Sequence, residues 1–336
     1  MSSTTATTAT ATVPPFSMEG SKYDMNTLAG RTRYWAEAIN PVMLLENERT
    51  LQRHQMLLDR WKAGQAGTVS DAELWHARAA VESCIHPTTK EVLPPPFRMS
   101  MFLPVNYVVV PCMMLPSTVM SVWRTVAIQW ANQSYNSAVN YANRSSDKQP
   151  VSEIAKAYTA AVVVACGGSL MATMWLKRIP AGTTKATLIR ATVPFLAVSC
   201  AATVNLASMR KNEWLSGGQG IRVVDEDGVV RGTSTAAGWD SLIKCSVTRL
   251  VWNLPCMTLP TLCMMPLLRV SPFARRHAVP AECLLQMLGL TIGVPPALGA
   301  YNLHQSIAAS RLEPRFHGLT RKDGSPVQTL TYYKGL

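Results

Sequence analysis

The sequence predicts an all-α integral membrane protein with about five transmembrane helices, several of them broken by proline, a small helical N-terminal soluble region and a short β-hairpin loop. Of its 336 residues, 48% are hydrophobic and only 15% are charged, whereas ordinary soluble domains carry about 25% charge. Five intervals lack Asp, Glu, Lys and Arg: 99–123, 157–176, 191–209, 250–268 and 283–310. A hydrocarbon core of about 30 Å requires roughly 20 apolar helical residues. Each interval is long enough, or nearly so, and we place the last span near 283–305.

Charge divides the chain into two parts. Residues 1–98 contain ten basic and ten acidic side chains, so the formal charge of +12 arises wholly within residues 99–336. The chain begins with a Ser/Thr/Ala tract, whose composition is typical of disorder. We therefore expect a disordered tail at 1–20, a soluble helical region at 21–98, a membrane domain at 99–310 and a C-terminal tail at 311–336.

Two amphipathic segments, 47–63 and 70–85, predict the helices of the soluble region. The second segment begins with Ser70-Asp71-Ala72-Glu73, in which Ser70 and Glu73 can satisfy each other's backbone amides as a capping box. It should end at His86-Pro87, because a residue before proline avoids helical geometry.

Prolines recur in the first, fourth and fifth apolar intervals: Pro104, Pro111 and Pro116 in the first, Pro255, Pro260 and Pro266 in the fourth, and Pro295 and Pro296 in the fifth. Proline removes a backbone donor and clashes with the preceding turn, so these helices should be kinked or broken. Broken helices that line a wet cavity are typical of transporters. Ordinary kinking, which is common in membrane helices, explains any one proline equally well.

The segment 220–232, GIRVVDEDGVVRG, places two β-branched stretches on either side of Asp227-Gly228. This pattern predicts a β-hairpin loop. The acidic residues Asp225, Glu226 and Asp227 lack the later ligands of a calcium-binding loop. We therefore interpret them as a solvated turn.

The remaining chemistry-bearing residues predict no cofactor, no metal site and no enzyme. The eight cysteines form no CxxC pair, and most lie in or beside the apolar intervals, which is typical of small buried hydrophobic residues. The sequence contains no evident nucleophile–base pair or phosphate-binding loop. We also expect no nucleic-acid partner.

The segment 125–143 contains a regular series of carboxamides. Asn132, Asn136 and Asn140 recur at every fourth position, and Gln129, Gln133 and Asn143 lie beside them. In a helix these amides form one stripe, with Trp130 and Tyr141 elsewhere on the surface. A buried amide without a partner costs on the order of 2 kcal/mol or more. The stripe must therefore face protein, headgroups or water instead of acyl chains.

Several motifs together resemble the sideroflexins, a family of mitochondrial inner-membrane transporters. The matching stretches are Arg31-Thr32-Arg33-Tyr34, Asn40-Pro41, Ser70-Asp71-Ala72-Glu73-Leu74-Trp75, His86-Pro87, Pro96-Phe97-Arg98-Met99-Ser100, Asn132-Gln133-Ser134-Tyr135-Asn136, Asn140-Tyr141-Ala142-Asn143-Arg144, Asn205, Met209-Arg210 and Glu213. The resemblance covers residues 22–336, and the Asn-rich motif is long and rare. One departure is His86-Pro87-Thr88-Thr89-Lys90-Glu91, where the family usually has His-Pro-Asp-Thr-Gly-Glu.

The resemblance implies a multi-pass carrier of small neutral amino acids, serine above all, which supplies mitochondrial one-carbon metabolism. Older naming of the family implies iron-related metabolites or tricarboxylates as alternative substrates. Nothing in the residues supports an iron site, and the spans display no convergent basic pocket for citrate. A non-transporting membrane scaffold, such as an assembly factor for a respiratory complex, is the second class of function. It would use the basic surface for partners and anionic lipid. A homo-oligomer or a complex with inner-membrane partners stays open.

We hypothesise that the amide stripe lines the substrate route, because neutral amides can exchange hydrogen bonds with a zwitterion without trapping it. The residues assigned to this route are Asn132, Gln133, Asn136, Asn140 and Asn143, with Arg98 and Arg144 pairing with a carboxylate at its mouths. The alternative is that the stripe only joins helices, through interhelical bonds worth about 0.6 kcal/mol on average.

Four further residues are weaker candidates: His86, Asn205, Arg210 and His304. His86 precedes a proline, which is more typical of a turn than of a proton carrier. His304 comes late in the last apolar run, where an ionisable group is a functional candidate for proton coupling.

Overall fold

The computed structural model describes residues 13–65, 67–86, 90–142, 151–180 and 183–335. It is mainly helical, with helices long and apolar enough to cross a membrane and one small antiparallel sheet. The predicted class of an all-α membrane protein with a hairpin is confirmed.

The N-terminal region contains three helices, α1 (Leu28–Ala38), α2 (Glu48–Lys62) and α3 (Asp71–Cys84), with a 3-10 turn at Pro41–Leu45. The predicted capping box is present: Ser70 Oγ accepts from the Glu73 amide at 3.3 Å, and Glu73 Oε2 accepts from the Ser70 amide at 3.1 Å. Helix α3 ends before Ile85, in agreement with the expected stop.

Residues 13–20 are ordered, which corrects the prediction of a disordered tail reaching residue 20. The ring of Phe16 is buried, with its centroid 4.8 Å from that of Trp61 and 4.9 Å from that of Trp75. The Phe16 amide donates to Asp71 Oδ1 at 2.9 Å. Burial of an aromatic ring outweighed the low-complexity composition that precedes it.

The membrane domain is built from two groups of helices. The first group is α4 (Phe102–Met114), α5 (Pro116–Val119), α6 (Val122–Ala142), α7 (Val151–Leu176), α8 (Thr184–Met209) and α9 (Lys211–Trp214). The second group is α10 (Thr235–Asn253), α11 (Leu259–Val270), α12 (Pro272–Arg276) and α13 (Ala278–Leu298). Four segments of the described chain are long and apolar enough to span: Ala155–Trp175, Thr184–Met209, Thr235–Val270 and Ala278–Leu298.

The first apolar interval, 99–123, is not one continuous span. Leu115 has an extended ψ of 132° before Pro116, so the helix stops there and restarts as α5. The 13 residues of α4 extend about 20 Å at 1.5 Å per residue, less than the hydrocarbon thickness. The sequence-based count of about five spans therefore becomes four long helices and one short apolar helix.

The fourth predicted span, 250–268, belongs to a longer segment. Helix α10 continues through a π-helical stretch, Leu254–Thr258, directly into α11. The π-helical turn contains Pro255, whose missing amide prevents regular helical bonding. At Pro255 the helix therefore changes locally from α to π geometry and continues without a break.

The hairpin prediction is confirmed, but the hairpin is part of a larger unit. Strands β1 (Ile221–Val224) and β2 (Val230–Ser234) pair around the turn, and β4 (Thr329–Tyr333) and β3 (His304–Ala308) extend the sheet in the order β2-β1-β4-β3, all antiparallel. The expected tail 311–336 is therefore partly folded. His304 lies in a strand instead of a membrane run, because α13 ends at Leu298.

The acidic turn is tied into the sheet, which corrects its interpretation as solvated. Asp225 is 4% exposed, and its carboxylate accepts from the amides of Asp227 and Val229 and from Arg231 Nε at 2.6 Å. Asp227 in turn pairs with Arg321 at 2.9 Å.

The bundle has an apolar interior that includes α1. Trp35 of α1 and Ile39, which caps that helix, join residues of α4, α13 and the π-helical stretch in one buried cluster. Large apolar side chains also cover the outside, among them Val163, Met171, Trp175, Phe273 and Ile292. An apolar exterior of this extent suits contact with acyl chains.

Candidate functional site

Helix α6 has its polar face inside the protein and its apolar face outside. On the inner face, Gln129 is 2% exposed, Asn132 5% and Gln133 1%. On the outer face, Trp123 is 81% exposed and Trp130 is 55% exposed. This reverses the arrangement expected of a helix surrounded by water. Of the predicted stripe, Gln129, Asn132 and Gln133 are thus buried on the inner face, whereas Asn136 is partly exposed.

The inner face meets α7 through a side-chain hydrogen bond. Gln129 Nε2 donates to Ser169 Oγ at 2.9 Å, and both residues are buried. One helical turn away, the hydroxyl of Thr173 donates to the carbonyl of Val119 at 2.8 Å. Ser134, at the side of the stripe, contacts the hydroxyl of Tyr158 at 3.0 Å. Helix α6 therefore presents its polar groups to α7 and to the turn at α5.

A small polar cavity lies beside this bond, where α4, α5, α6, α7 and α8 meet. Its volume is about 10 Å³, and its polar lining residues are Thr118, Thr125, Gln129, Ser169 and Thr173. A cavity of this size holds about one water molecule. Sites for small molecules typically measure about 300–1,000 Å³, so this cavity is too small to hold an amino acid.

Several buried polar atoms of α6 have no hydrogen-bond partner within the described residues. Within the described part of the chain, both amide atoms of Gln133, Oε1 of Gln129 and Oγ of Ser137 are buried without a hydrogen bond. Each such group costs roughly 1–3 kcal/mol when it is left unpaired. Four unpaired polar atoms on one face are expensive, and a purely structural helix would gain stability from apolar residues there.

Two other predicted members of the stripe lie further along α6. Asn136 lies on α6 and is partly exposed, and Asn140 continues the four-residue spacing in the last turns of the same helix. Asn143 and Arg144 lie outside the described residues. The structure thus brings Asn132, Gln133 and Asn136 onto one face of one helix.

Arg98 has a structural environment. The side chain is 2% exposed, and its Nε donates to the carbonyl of Leu93 at 2.9 Å. Its Nη1 donates to the carbonyls of Glu46 at 2.8 Å and Met43 at 3.3 Å. The guanidinium holds the N-terminal region against the start of the membrane domain. We do not include Arg98 in the function proposed below.

The weaker candidates are scattered over the molecule. His86 is buried at the turn after α3, where its amide donates to the Glu91 carbonyl. Asn205 is buried in α8, and its Oδ1 has no hydrogen-bond partner among the described residues. His304 is exposed at the sheet, with its ring centroid 5.4 Å from that of Tyr333.

Arg210 follows α8 and connects the bundle to the sheet. It donates to Glu213 Oε2 at 2.7 Å, to Ser241 Oγ at 3.0 Å and to the carbonyl of Lys334 at 3.0 Å. The negative charge of Glu213 raises the pKa of Arg210 even though burial lowers it. These contacts hold the end of α8 against α10 and the C-terminal end of the sheet.

Sequence reasoning missed residues that share the polar interior. Thr125 lies four residues before Gln129, a member of the predicted stripe, so the periodicity could have identified it. Ser169 and Thr173 show the same spacing on α7. A second buried polar contact joins Thr261 Oγ1 to Glu282 Oε1 at 2.7 Å. It escaped attention because Glu282 immediately precedes an apolar interval.

Comparison with known proteins gives a consistent result. The family model described as Sideroflexins matches residues 17–336. A sideroflexin of Dictyostelium discoideum is 32% identical over 329 residues, covering 96% of this chain and 98% of that protein. Human sideroflexin-5 is 31% identical, covering 96% and 94%, and Saccharomyces cerevisiae sideroflexin FSF1 is 32% identical, covering 96% and 98%. No solved structure matches the chain significantly.

Proposed function

We propose that this chain, which belongs to the sideroflexin family, carries small neutral amino acids, serine above all, across the mitochondrial inner membrane. The family is one of membrane carriers, and the chain is a multi-pass membrane protein. The proposed transport would supply serine for one-carbon metabolism, and we expect no catalytic activity.

The observation that carries the proposal is the reversed polarity of α6. Its buried face contains Gln129, Asn132 and Gln133, with amide atoms of Gln129 and Gln133 that lack partners within the described chain, while Trp123 and Trp130 face outward. Asn136 is partly exposed one turn further along. Unpaired amides facing the interior are donors and acceptors held ready for a polar solute. The free energy lost by leaving them unpaired is recovered when a solute pairs with them.

Neutral amides suit a zwitterionic substrate. A carboxamide offers two donors and an acceptor oxygen, so it can contact a carboxylate, an ammonium group or a serine hydroxyl. Because it carries no net charge, it does not hold either end of the substrate as strongly as an ion pair would. Passage requires binding that is favourable enough to admit the solute and weak enough to release it.

The water-sized cavity is consistent with a closed stage of the proposed cycle. The cavity lies at Gln129 on the inner face of α6, within the first group of helices. Opening would have to separate α6 from α7 at the Gln129–Ser169 bond.

A non-transporting scaffold is the second candidate, and the small size of the cavity favours it. In that function the amides would fix the packing of α6 and α7 and would never meet a solute. The two candidates differ in whether a solute reaches Asn136 and Asn140.

The test is uptake by the full chain in sealed proteoliposomes. We expect radiolabelled serine to accumulate most, then alanine, glycine and cysteine, with citrate at the level of empty vesicles. The double variant Asn136→Ala/Asn140→Ala should lose uptake while its insertion and melting temperature stay unchanged. A matched control, Asn302→Ala/Gln305→Ala, removes two amides outside the bundle and should transport normally.

Each result discriminates between the candidates. Normal serine uptake by Asn136→Ala/Asn140→Ala would refute the amide route while leaving the carrier function. Absence of uptake by the unaltered chain for every solute would favour the scaffold.

A further inference from the structure

Three potential metal ligands meet in the N-terminal region, away from α6. Glu46 follows the 3-10 turn, His54 lies on α2 and His76 lies on α3. Glu46 Oε2 is 3.4 Å from His54 Nε2, and Glu46 Oε1 is 3.5 Å from His76 Nε2. One ligand atom from each residue fits within 4.8 Å of the other two. We propose that these residues form a binding site for a divalent transition-metal ion of the Zn²⁺ type.

The separations fit such an ion. Zn–N and Zn–O bonds measure about 2.0–2.2 Å, so two ligand atoms of a tetrahedral site lie about 3.3–3.6 Å apart. Both Glu46–His distances fall in that interval, with Oε2 facing His54 and Oε1 facing His76. Side-chain rotations must close the remaining separations, which lie within 4.8 Å for one ligand atom from each residue.

The ligand set selects the class of ion. Two imidazoles and one carboxylate suit borderline first-row divalent metals, whereas Mg²⁺ and Ca²⁺ prefer oxygen ligands alone. Three protein ligands leave a fourth position for water, the arrangement of open zinc sites. His76, with half of its side chain exposed, lies on the solvent side where that water would bind.

The carboxylate is oriented by its surroundings. Thr50 Oγ1 donates to Glu46 Oε2 at 2.5 Å, so the oxygen that faces His54 has an outer-shell partner. The backbone carbonyl of Glu46 accepts from Arg98 Nη1 at 2.8 Å. Outer-shell hydrogen bonds of this kind hold a ligand in place before the ion arrives.

The site also has access and a structural consequence. His54 lines a surface groove of about 400 Å³ together with Arg53 and Arg60, whose positive charges would slow but not block a cation. A bound ion would link the end of the 3-10 turn, α2 and α3. Through Arg98, which bonds Glu46 and begins the membrane domain, it would stiffen the connection between the two parts of the protein.

The test measures Zn²⁺ and Co²⁺ binding to the full chain in detergent, after treatment with a chelator. We expect one Zn²⁺ per chain by equilibrium dialysis, a visible Co²⁺ absorption band that Zn²⁺ abolishes, and no displacement by excess Mg²⁺ or Ca²⁺. His76→Gln and Glu46→Gln should weaken binding by more than the 10- to 100-fold typical of outer-shell changes. His317→Gln and Glu48→Gln are matched controls at exposed positions and should bind like the unaltered chain.

Other outcomes overturn the proposal. It fails if the unaltered chain binds no Co²⁺, or if the controls and the cluster variants lose binding equally. It also fails if the melting temperature of His76→Gln responds to Zn²⁺ as that of the unaltered chain does. None of these outcomes depends on transport, so the metal site and the carrier function are tested separately.

Discussion

The β-sheet and the helical bundle treat buried polar groups in opposite ways. In the sheet, the buried carboxylate of Asp225 accepts three hydrogen bonds, and Glu226 accepts from the amide of Thr329 at 2.8 Å. In the bundle, Gln133 is equally buried but both of its amide atoms lack a partner within the described residues. Of the eight buried side-chain polar atoms without a partner in the described chain, four lie on α6 and none lies in the sheet.

The difference indicates that the buried polar groups of the sheet stabilise the fold, whereas the unpaired polar groups of α6 serve another purpose. A satisfied buried polar network contributes to the fold and its uniqueness, whereas an unsatisfied one lowers stability. The sheet follows the first pattern and α6 the second. Substitutions in the two regions should therefore affect stability and transport in opposite combinations.

The largest effect should come from Gln133→Leu. Removing an unpaired amide of similar size should leave the free energy of unfolding unchanged or slightly increased. Uptake should fall about 10- to 100-fold, because a hydrogen bond to a charged group of the substrate is worth roughly 1.5–3 kcal/mol. Proteoliposome uptake and thermal unfolding of the same preparation measure both. Loss of stability together with preserved uptake would show that Gln133 is a packing residue.

A substitution at Glu313 should have a smaller effect, in which stability falls and uptake does not change. Its carboxylate accepts from Ser234 Oγ at 2.6 Å and from the amides of Thr235 and Ala236 at the start of α10. Glu313→Ala should cost about 0.5–2 kcal/mol, the usual range for a lost helix cap, and leave the rate of uptake unchanged. Hydrogen-exchange protection of peptides from the sheet measures the first quantity. Unchanged exchange in that variant would contradict the role of Glu313 as a cap.

Acid should weaken the same contact. Burial by itself raises the pKa of Glu313, but hydrogen bonds from Ser234, Thr235 and Ala236 outweigh it and lower the pKa from 4.5 to about 2. The contact therefore stabilises the folded state above about pH 4.5 and is lost as the pH falls toward 2. Exchange in the sheet should increase over that interval in the unaltered chain, and less so in Glu313→Gln. An equal increase in both would assign the acid sensitivity to another group.

The smallest effect is expected on the outer face of α6. Trp123 is 81% exposed, so Trp123→Leu exchanges one apolar group for another at the surface that we assign to lipid. Stability should change by less than about 0.5 kcal/mol, and uptake should stay within twofold of the unaltered rate. This variant is the control for Gln133→Leu on the same helix. A large loss of uptake would mean that the outer face also meets the substrate or a partner.

Local periodicity predicted much of this architecture. The helical spacing of the amides indicated a shared face, on which Asn132 and Gln133 are buried while Asn136 is partly exposed, and the Ser70–Glu73 pair predicted the cap of α3. The Asp227-Gly228 turn predicted the hairpin, because residues within a few positions determine all three features. The break at Leu115 was less visible, because a proline inside an apolar run is compatible with either a kink or a new helix.

Features that join distant parts of the chain escaped prediction. Strand β4 pairs with β1 across about a hundred residues, so nothing in the segment around Thr331 identifies its neighbour. Ser169 completes the environment of Gln129 from another helix. Glu46, His54 and His76 come together only because α2 and α3 pack side by side. The composition of residues 13–20 also concealed the ordered Phe16.

The sheet also joins the two ends of the second group of helices. Strand β2 leads into α10, and α13 leads back to β3. The segments Thr235–Val270 and Ala278–Leu298 therefore form a helical hairpin whose two ends join the same sheet. In a membrane that both segments cross, the sheet and the basic turn with Arg275 and Arg276 would lie on opposite sides. Because β1 pairs with β4, the sheet forms only when residues 329–333 reach a hairpin about a hundred positions earlier in the chain.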